Sequence, residues 1–170
     1  MGIDMQGTNK FLLGIVAGVL LLVGVAFAVA LLRPKPKPAY QSEATPEGVA
    51  HNYLLALQQE DYARAYSYLS PTLKGYPASI EIFAGNIPGH RWGFGIDRDS
   101  VTLEVESARI TGDRAVVLVR KTRFYNRRLF DSNQYTNTFD MKLQRESGAW
   151  KIIASDSYWL RCWDDKDGCP

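Results

Sequence analysis

The chain has 170 residues, of which 46% are hydrophobic and 22% are charged, and its formal net charge is +2. Before residue 39 there are four basic residues and one acidic residue (4 − 1 = +3), so the remaining 16 basic and 17 acidic residues give −1. A nearly neutral remainder is a poor candidate for nucleic-acid binding, and residues 45–170 are enough for one domain with a core.

The first predicted element is an apolar run, Phe11–Leu32, which has no charged or strongly polar side chain over 22 positions. As a helix rising 1.5 Å per residue it would be about 33 Å long, close to the ~30 Å hydrocarbon thickness of a bilayer. We therefore predict a short tail over residues 1–10 and a transmembrane helix over 11–32, in contact with the lipid bilayer.

A cleaved signal peptide is the alternative interpretation of this run. Ala26, Ala28 and Ala30 have the small-x-small spacing that signal peptidases accept. The run is longer than the usual apolar region of about 7–15 residues, and only Lys10 precedes it, so we favour a retained anchor.

A proline-rich linker follows over residues 33–44. Alternating proline from Arg33 to Pro38 favours a stiff polyproline II segment. Its three basic residues, taken alone, place the globular part in the cytoplasm, whereas Cys162 and Cys169 favour an oxidising compartment. We expect an extracytoplasmic domain at the cell membrane, with the two cysteines of the tail (161–170) paired; two free thiols are the alternative.

Three short helices are predicted next. Thr45 is placed as an N-cap with Pro46 at the first helical position. Asp61 starts a second helix that Ser70 and Pro71 end. Residues 79–86 form the third helix, and residues 88–100 form a loop.

The period then changes from 3.6 to 2, which indicates strands. Tight turns are predicted at Gly112 and Gly148. The predicted strands cover residues 101–106, 115–124, 134–145 and 149–158, with a loop over 125–132. Antiparallel strands preceded by helices indicate an α+β fold, with the helices on one face of a curved sheet.

Several segments carry a family resemblance, and they cover nearly all of residues 45–158. These segments are Thr45–Leu57, Glu60–Tyr66, Leu69–Pro71, Ile110–Val119 and Leu143–Ile153, the last with a Gly-x-Trp-Lys-Ile hairpin. They resemble the nuclear-transport-factor-2-like cone, in the form found on small membrane-anchored bacterial proteins. The resemblance implies an α+β domain of cystatin and nuclear-transport-factor-2 type over residues 45–160. A fold of this kind does not fix the function.

The resemblance also implies a cone whose mouth holds a small apolar ligand. The candidate lining residues are Tyr53, Tyr66, Phe83, His90, Trp92, Phe139 and Trp150. The simpler interpretation is that these aromatic side chains fill the core. Enzymes of this fold use an Asp or His as a base, and the available groups are His51, His90, Asp97, Asp140 and Asp156.

One basic cluster stands out in the predicted strand and loop around residue 120. It contains Arg120, Lys121, Arg123, Arg127 and Arg128. It suits an anionic lipid, polymer or protein partner, although a solvated strand face has the same composition. We predict no catalytic residue, no metal site and no cofactor, because no motif for zinc, nucleotide or serine chemistry is present.

Together these patterns predict a single-pass protein of the cell envelope whose domain binds a protein or a small ligand without catalysis. The alternatives are an enzyme of isomerase or dehydratase type that uses the cone pocket, or an assembly module that forms a homodimer through its sheet face.

Overall fold

The computed structural model describes residues 5–32, 38–89, 100–128 and 131–169. The chain forms two compact units, Met1–Pro38 and Ala39–Pro170. The first unit contains helix α1 (Met5–Leu32). Its segment Leu12–Val29 has a mean hydropathy of 2.9 and is exposed throughout. By length and composition alone, it is the one segment in the described ranges that can cross a membrane, and a signal sequence has the same properties.

The second unit begins with three helices: α2 (Pro46–Gln58), α3 (Tyr62–Ser67) and α4 (Ile80–Gly89). The Thr45 hydroxyl accepts a hydrogen bond from the Gly48 N–H at 3.2 Å, and the Asp61 carboxylate accepts one from the Arg64 N–H at 3.1 Å. Both bonds satisfy N–H groups that have no partner within the helix. The two predicted helix starts are therefore confirmed.

Four antiparallel strands follow in the order β1-β2-β3-β4. Their bounds are β1 (Val101–Thr111), β2 (Arg114–Arg128), β3 (Asp131–Glu146) and β4 (Ala149–Ser155). The predicted loop over residues 125–132 is wrong, because Tyr125 pairs with Asn133 and Arg128 with Asp131. Ladder hydrogen bonds join backbone groups, so the polar side chains there did not end the strands.

The side chains of the sheet alternate between two faces. The inner face, defined by Val117, Val119, Phe139, Met141 and Leu143, is buried in one core with residues of α2, α3 and α4. The residues between them point to the outer face, as the period-2 pattern predicts. Register shifts after Val105 and Lys142 mark irregularities of the kind that bend strands. The α+β arrangement predicted from the sequence, with helices on one sheet face, is confirmed.

The globular unit includes segments on both sides of the predicted domain. At its start, the buried Asn52 side chain hydrogen-bonds both backbone groups of Gln41. At its end, Trp163 is fully buried in the core. A disulfide joins Cys162 and Cys169, whose Cα atoms are 4.9 Å apart. The packed unit therefore starts at Ala39 and includes the C-terminal turn.

Candidate functional site

The predicted lining residues that the structure describes are part of the core. Tyr53, Phe83, Phe139 and Trp150 are buried. Tyr66 and Phe83 have ring centroids 5.6 Å apart, and Phe83 stacks on Trp163 at 5.4 Å. These three rings pack α3 and α4 against the C-terminal turn.

The other predicted lining residues lie against the sheet. Phe139 contacts Tyr158, with centroids 5.7 Å apart, and the Tyr53 hydroxyl donates to the Tyr158 carbonyl at 2.8 Å. Trp150 lies under the Arg145 guanidinium at 4.7 Å, near the β3–β4 turn. His90 and Trp92 lie outside the described residues, so a pocket formed by all seven residues remains a prediction.

Three of the candidate bases are described, and each has backbone contacts. His51 Nε2 is 3.2 Å from the Ala39 carbonyl oxygen. Asp140 lies on the outer face, and its N–H donates to the Asp156 carboxylate at 3.3 Å. The Asp156 N–H donates in return to the Asp140 carbonyl at 3.1 Å. His90 and Asp97 lie outside the described residues.

The basic cluster divides between the two faces of β2. Arg120 is on the outer face and forms an ion pair with Glu106 of β1. Lys121 and Arg123 alternate with it and lie on the inner face, beyond Val119. The side chains of Arg127 and Arg128 lie outside the described part. The residues of one basic run in the sequence thus belong to two different surfaces of the fold.

The inner face changes character beyond the buried layer of Val119 and Phe139. Lys121 is flanked in the ladder by Leu103 and Asn137, and Arg123 by Val101 and Tyr135. Two exposed tyrosines complete this surface. We call Lys121, Arg123, Tyr125 and Tyr135 the basic end of the inner face.

The charges of this basic end are partly removed from solvent. Burial, and to a smaller extent the Arg123 charge, lower the pKa of Lys121. Its ammonium lies 4.8 Å from the centroid of the buried Tyr158 ring, and burial raises the pKa of Tyr158 to about 12. Within the described ranges, neither Lys121 nor Arg123 forms an ion pair. Two like charges are therefore held on one partly desolvated face.

A second polar cluster surrounds Arg64 of α3. Its guanidinium lies 3.6 Å from the Tyr40 ring centroid and donates to Glu43 at 3.2 Å and to the Tyr68 hydroxyl at 3.0 Å. The Tyr68 hydroxyl donates to the same Glu43 oxygen at 2.7 Å. Each group has a partner, so the cluster fixes the segment before α2 onto the helices.

The described residues show no group of three or more His, Cys, Asp or Glu side chains that could hold a metal ion. Sequence reasoning found Lys121 and Arg123 but missed Tyr125 and Tyr135. Tyr125 fell in the predicted loop, which interrupted the alternation of β2, and Tyr135 lay in a predicted strand whose register with β2 was not known. The missing signals were therefore the true length of β2 and its register with β3.

No protein-family model matches the sequence, and no curated protein matches it. Several solved structures resemble the fold of this chain. A protein assigned as a ketosteroid isomerase from Shewanella frigidimarina has 18% identity and a TM-score of 0.46, and the match covers 69% of this chain and 95% of that one. A protein assigned as a dehydratase of the NTF2-like family from Streptomyces avermitilis has 11% identity and a TM-score of 0.38, with 63% and 88% covered.

An uncharacterized cystatin fold protein from Novosphingobium aromaticivorans has 10% identity and a TM-score of 0.39, and the match covers 67% of this chain and all of that one. The structural neighbours are thus nuclear-transport-factor-2-like and cystatin-like α+β proteins, the class that the sequence resembles. All three likenesses concern the fold alone.

Proposed function

We propose that this protein is a single-pass, membrane-anchored protein of the bacterial cell envelope whose globular unit lies outside the cytoplasm and binds a protein or small ligand without catalysis. The observation that carries the proposal is α1, because its 18-residue segment Leu12–Val29 exposes every side chain. Apolar surface of that extent needs a lipid environment. The disulfide between Cys162 and Cys169 supports an oxidising compartment.

The binding role is supported by the basic end of the inner face. Its two cations lie on a partly desolvated surface next to exposed tyrosine rings, and such a combination of charged and apolar groups is typical of ligand sites. A catalytic role is less well supported, since Asp140 lies on the outer face and His51 contacts the backbone of Ala39. Neither group points toward this surface.

A homodimer through the outer face is also less well supported. Most of its side chains are polar or charged. Glu104 and Arg120 are neighbours in the ladder, and Thr122 hydrogen-bonds Thr136 at 3.2 Å. Stable homodimer interfaces are more apolar than this. The ligand-binding role is therefore the better account of the unit.

Thiol labelling on intact cells tests which side of the membrane carries the unit. Ser107 is exposed on the sheet and Thr8 precedes the apolar run Phe11–Leu32 at the start of α1, so Ser107→Cys and Thr8→Cys form a matched pair. We expect a membrane-impermeant maleimide to label Ser107→Cys in intact cells and Thr8→Cys only after lysis. The wild-type chain, whose cysteines are paired, is the unlabelled control. The reverse pattern would place the unit in the cytoplasm and contradict the proposal.

A further inference from the structure

We propose that the basic end of the inner face binds a small organic anion, in which a carboxylate or phosphate is attached to a flat apolar body. This rests on the proposed function, because it names the class of ligand for the same site. The thiol labelling reports only the side of the membrane, so the two proposals can fail separately.

The first step of the argument is the charge of the site. Lys121 and Arg123 lie two residues apart on one strand face, which separates their Cα atoms by about 7 Å. An anionic group placed between them reaches both side chains. A guanidinium binds carboxylate and phosphate oxygens in pairs, and an anion removes the repulsion between the two cations.

The second step is desolvation. Lys121 is half-buried, and its ammonium lies over the ring of the fully buried Tyr158. A buried charge is costly unless an opposite charge or hydrogen bonds compensate it, and within the described residues no carboxylate is ion-paired to this ammonium. The site therefore favours an anion over a neutral ligand.

The third step is the shape of the ligand. Tyr125 and Tyr135 are 48% and 60% exposed, and both lie on the inner face next to Arg123 in the β2–β3 ladder. Aromatic rings of this kind stack on flat apolar groups. The surface covers three residues along one face of β2 and one residue of β3, about 14 Å by 5 Å. Such an area accommodates one charged group and one ring rather than a length of polymer.

Calorimetric titration of the full chain in neutral maltoside micelles tests the proposal. The probes are phenyl phosphate, inorganic phosphate and benzyl alcohol. We expect phenyl phosphate to bind tightest, and Arg123→Gln and Lys121→Gln each to weaken it about tenfold or more, because each removes a charged hydrogen-bonding partner. Arg120→Gln is the matched control, because Arg120 is adjacent in sequence but lies on the other face in an ion pair. The affinity of this variant for phenyl phosphate should stay within about twofold of the wild-type value.

Several outcomes would overturn the proposal. If Arg120→Gln weakened phenyl phosphate binding as much as the other two variants, the effect would be one of net charge and not of this site. If inorganic phosphate bound as tightly as phenyl phosphate, the tyrosines would have no role in binding. Absence of phenyl phosphate binding would reject the site, and competition by phosphatidylglycerol added to the micelles would assign it to lipid headgroups.

Urea unfolding supplies an independent readout. A ligand that binds only the folded state stabilises it, so excess phenyl phosphate should raise the unfolding midpoint of the wild-type chain more than that of Lys121→Gln. An equal shift of the midpoint in the two chains would contradict the role of Lys121 in the site.

Discussion

At the scale of single residues, Asn52 holds the first segment of the globular unit. Its side-chain oxygen accepts from the Gln41 N–H at 2.7 Å, and its amide donates to the Gln41 carbonyl at 2.9 Å. Because Asn52 is fully buried, Asn52→Ala leaves both groups without these partners and should lower the free energy of unfolding by about 1–3 kcal/mol. Urea unfolding measures this loss. Gln58→Ala, at a partly exposed position of the same helix, is the control; an equal loss there would contradict the role of Asn52.

Glu43 gives a prediction about pH. The hydrogen bond from Tyr68, and to a smaller extent Arg64, holds the pKa of Glu43 below its usual value of 4.5. The folded state therefore binds this proton more weakly than the unfolded state, so the contribution to stability is complete above about pH 4.5 and is lost as pH falls through the folded pKa. Glu43→Gln should lower the free energy of unfolding at pH 7 by less than about 1 kcal/mol, because the side chain is half exposed.

The measurement is urea unfolding of both proteins at pH 7 and at several values below pH 4.5. The difference between wild type and Glu43→Gln should shrink as the pH falls. A difference that stays constant with pH would show that the Glu43 charge plays no part.

The residue scale also shows what local sequence can and cannot predict. The caps at Thr45 and Asp61 were predictable, because each bonds an N–H three residues further along. The cluster around Arg64 was not, because Glu43 precedes Arg64 by 21 residues and Tyr68 by 25. Contacts of that separation depend on how the segment before α2 packs, and no local pattern encodes it.

At the scale of elements, the turn closed by Cys162 and Cys169 packs on the loop between α3 and α4. The Gly75 N–H donates to the Trp163 carbonyl at 2.9 Å. A Cβ at Gly75 would collide with the Cys162 carbonyl oxygen and come within 2.6 Å of the Asp165 carbonyl oxygen. We expect Gly75→Ala to lower the free energy of unfolding by about 1–3 kcal/mol, as overpacking does.

Gly85→Ala is the matched control for this change. Gly85 lies inside α4, and a Cβ there would meet no atom within 4 Å. Alanine in a helix interior should raise the stability by up to about 1 kcal/mol. Thermal unfolding of the two variants should therefore give shifts of opposite sign. If Gly75→Ala left the thermal stability unchanged, the C-terminal turn would not pack closely on this loop.

The strands show how much of the sheet the alternation of apolar and polar residues predicts. The buried residues Val117, Val119, Met141 and Leu143 follow the period of 2 that indicated strands in the sequence, because burial on one face imposes that period. The alternation failed at residues 125–132, where charged and polar side chains suggested a loop while the backbone ladder continues. The length of β2 and β3 is a property of their mutual pairing, and this is why the basic end of the inner face was not recognised from sequence.

At the scale of the whole molecule, composition alone separates an apolar N-terminal helix from a globular unit. The structure divides the chain after Pro38, whereas the predicted domain starts at Thr45. It also shows that the globular unit includes the segment from Ala39 and the C-terminal turn. Asn52 hydrogen-bonds the backbone of Gln41 in that segment, and Gly75 donates to the Trp163 carbonyl in the turn. The ligand of the candidate site could not be predicted, since its residues come together only through the β2–β3 register.

Membrane attachment through α1 is the central claim, and alkaline carbonate extraction of cells that express the full chain with an N-terminal epitope tests it most directly. We expect the intact chain to stay in the membrane pellet, and Leu20→Lys with Val23→Lys to release it, since each central charge costs about 2.5–3.5 kcal/mol. Recovery of the wild-type chain in the aqueous fraction with its epitope still attached would contradict membrane attachment.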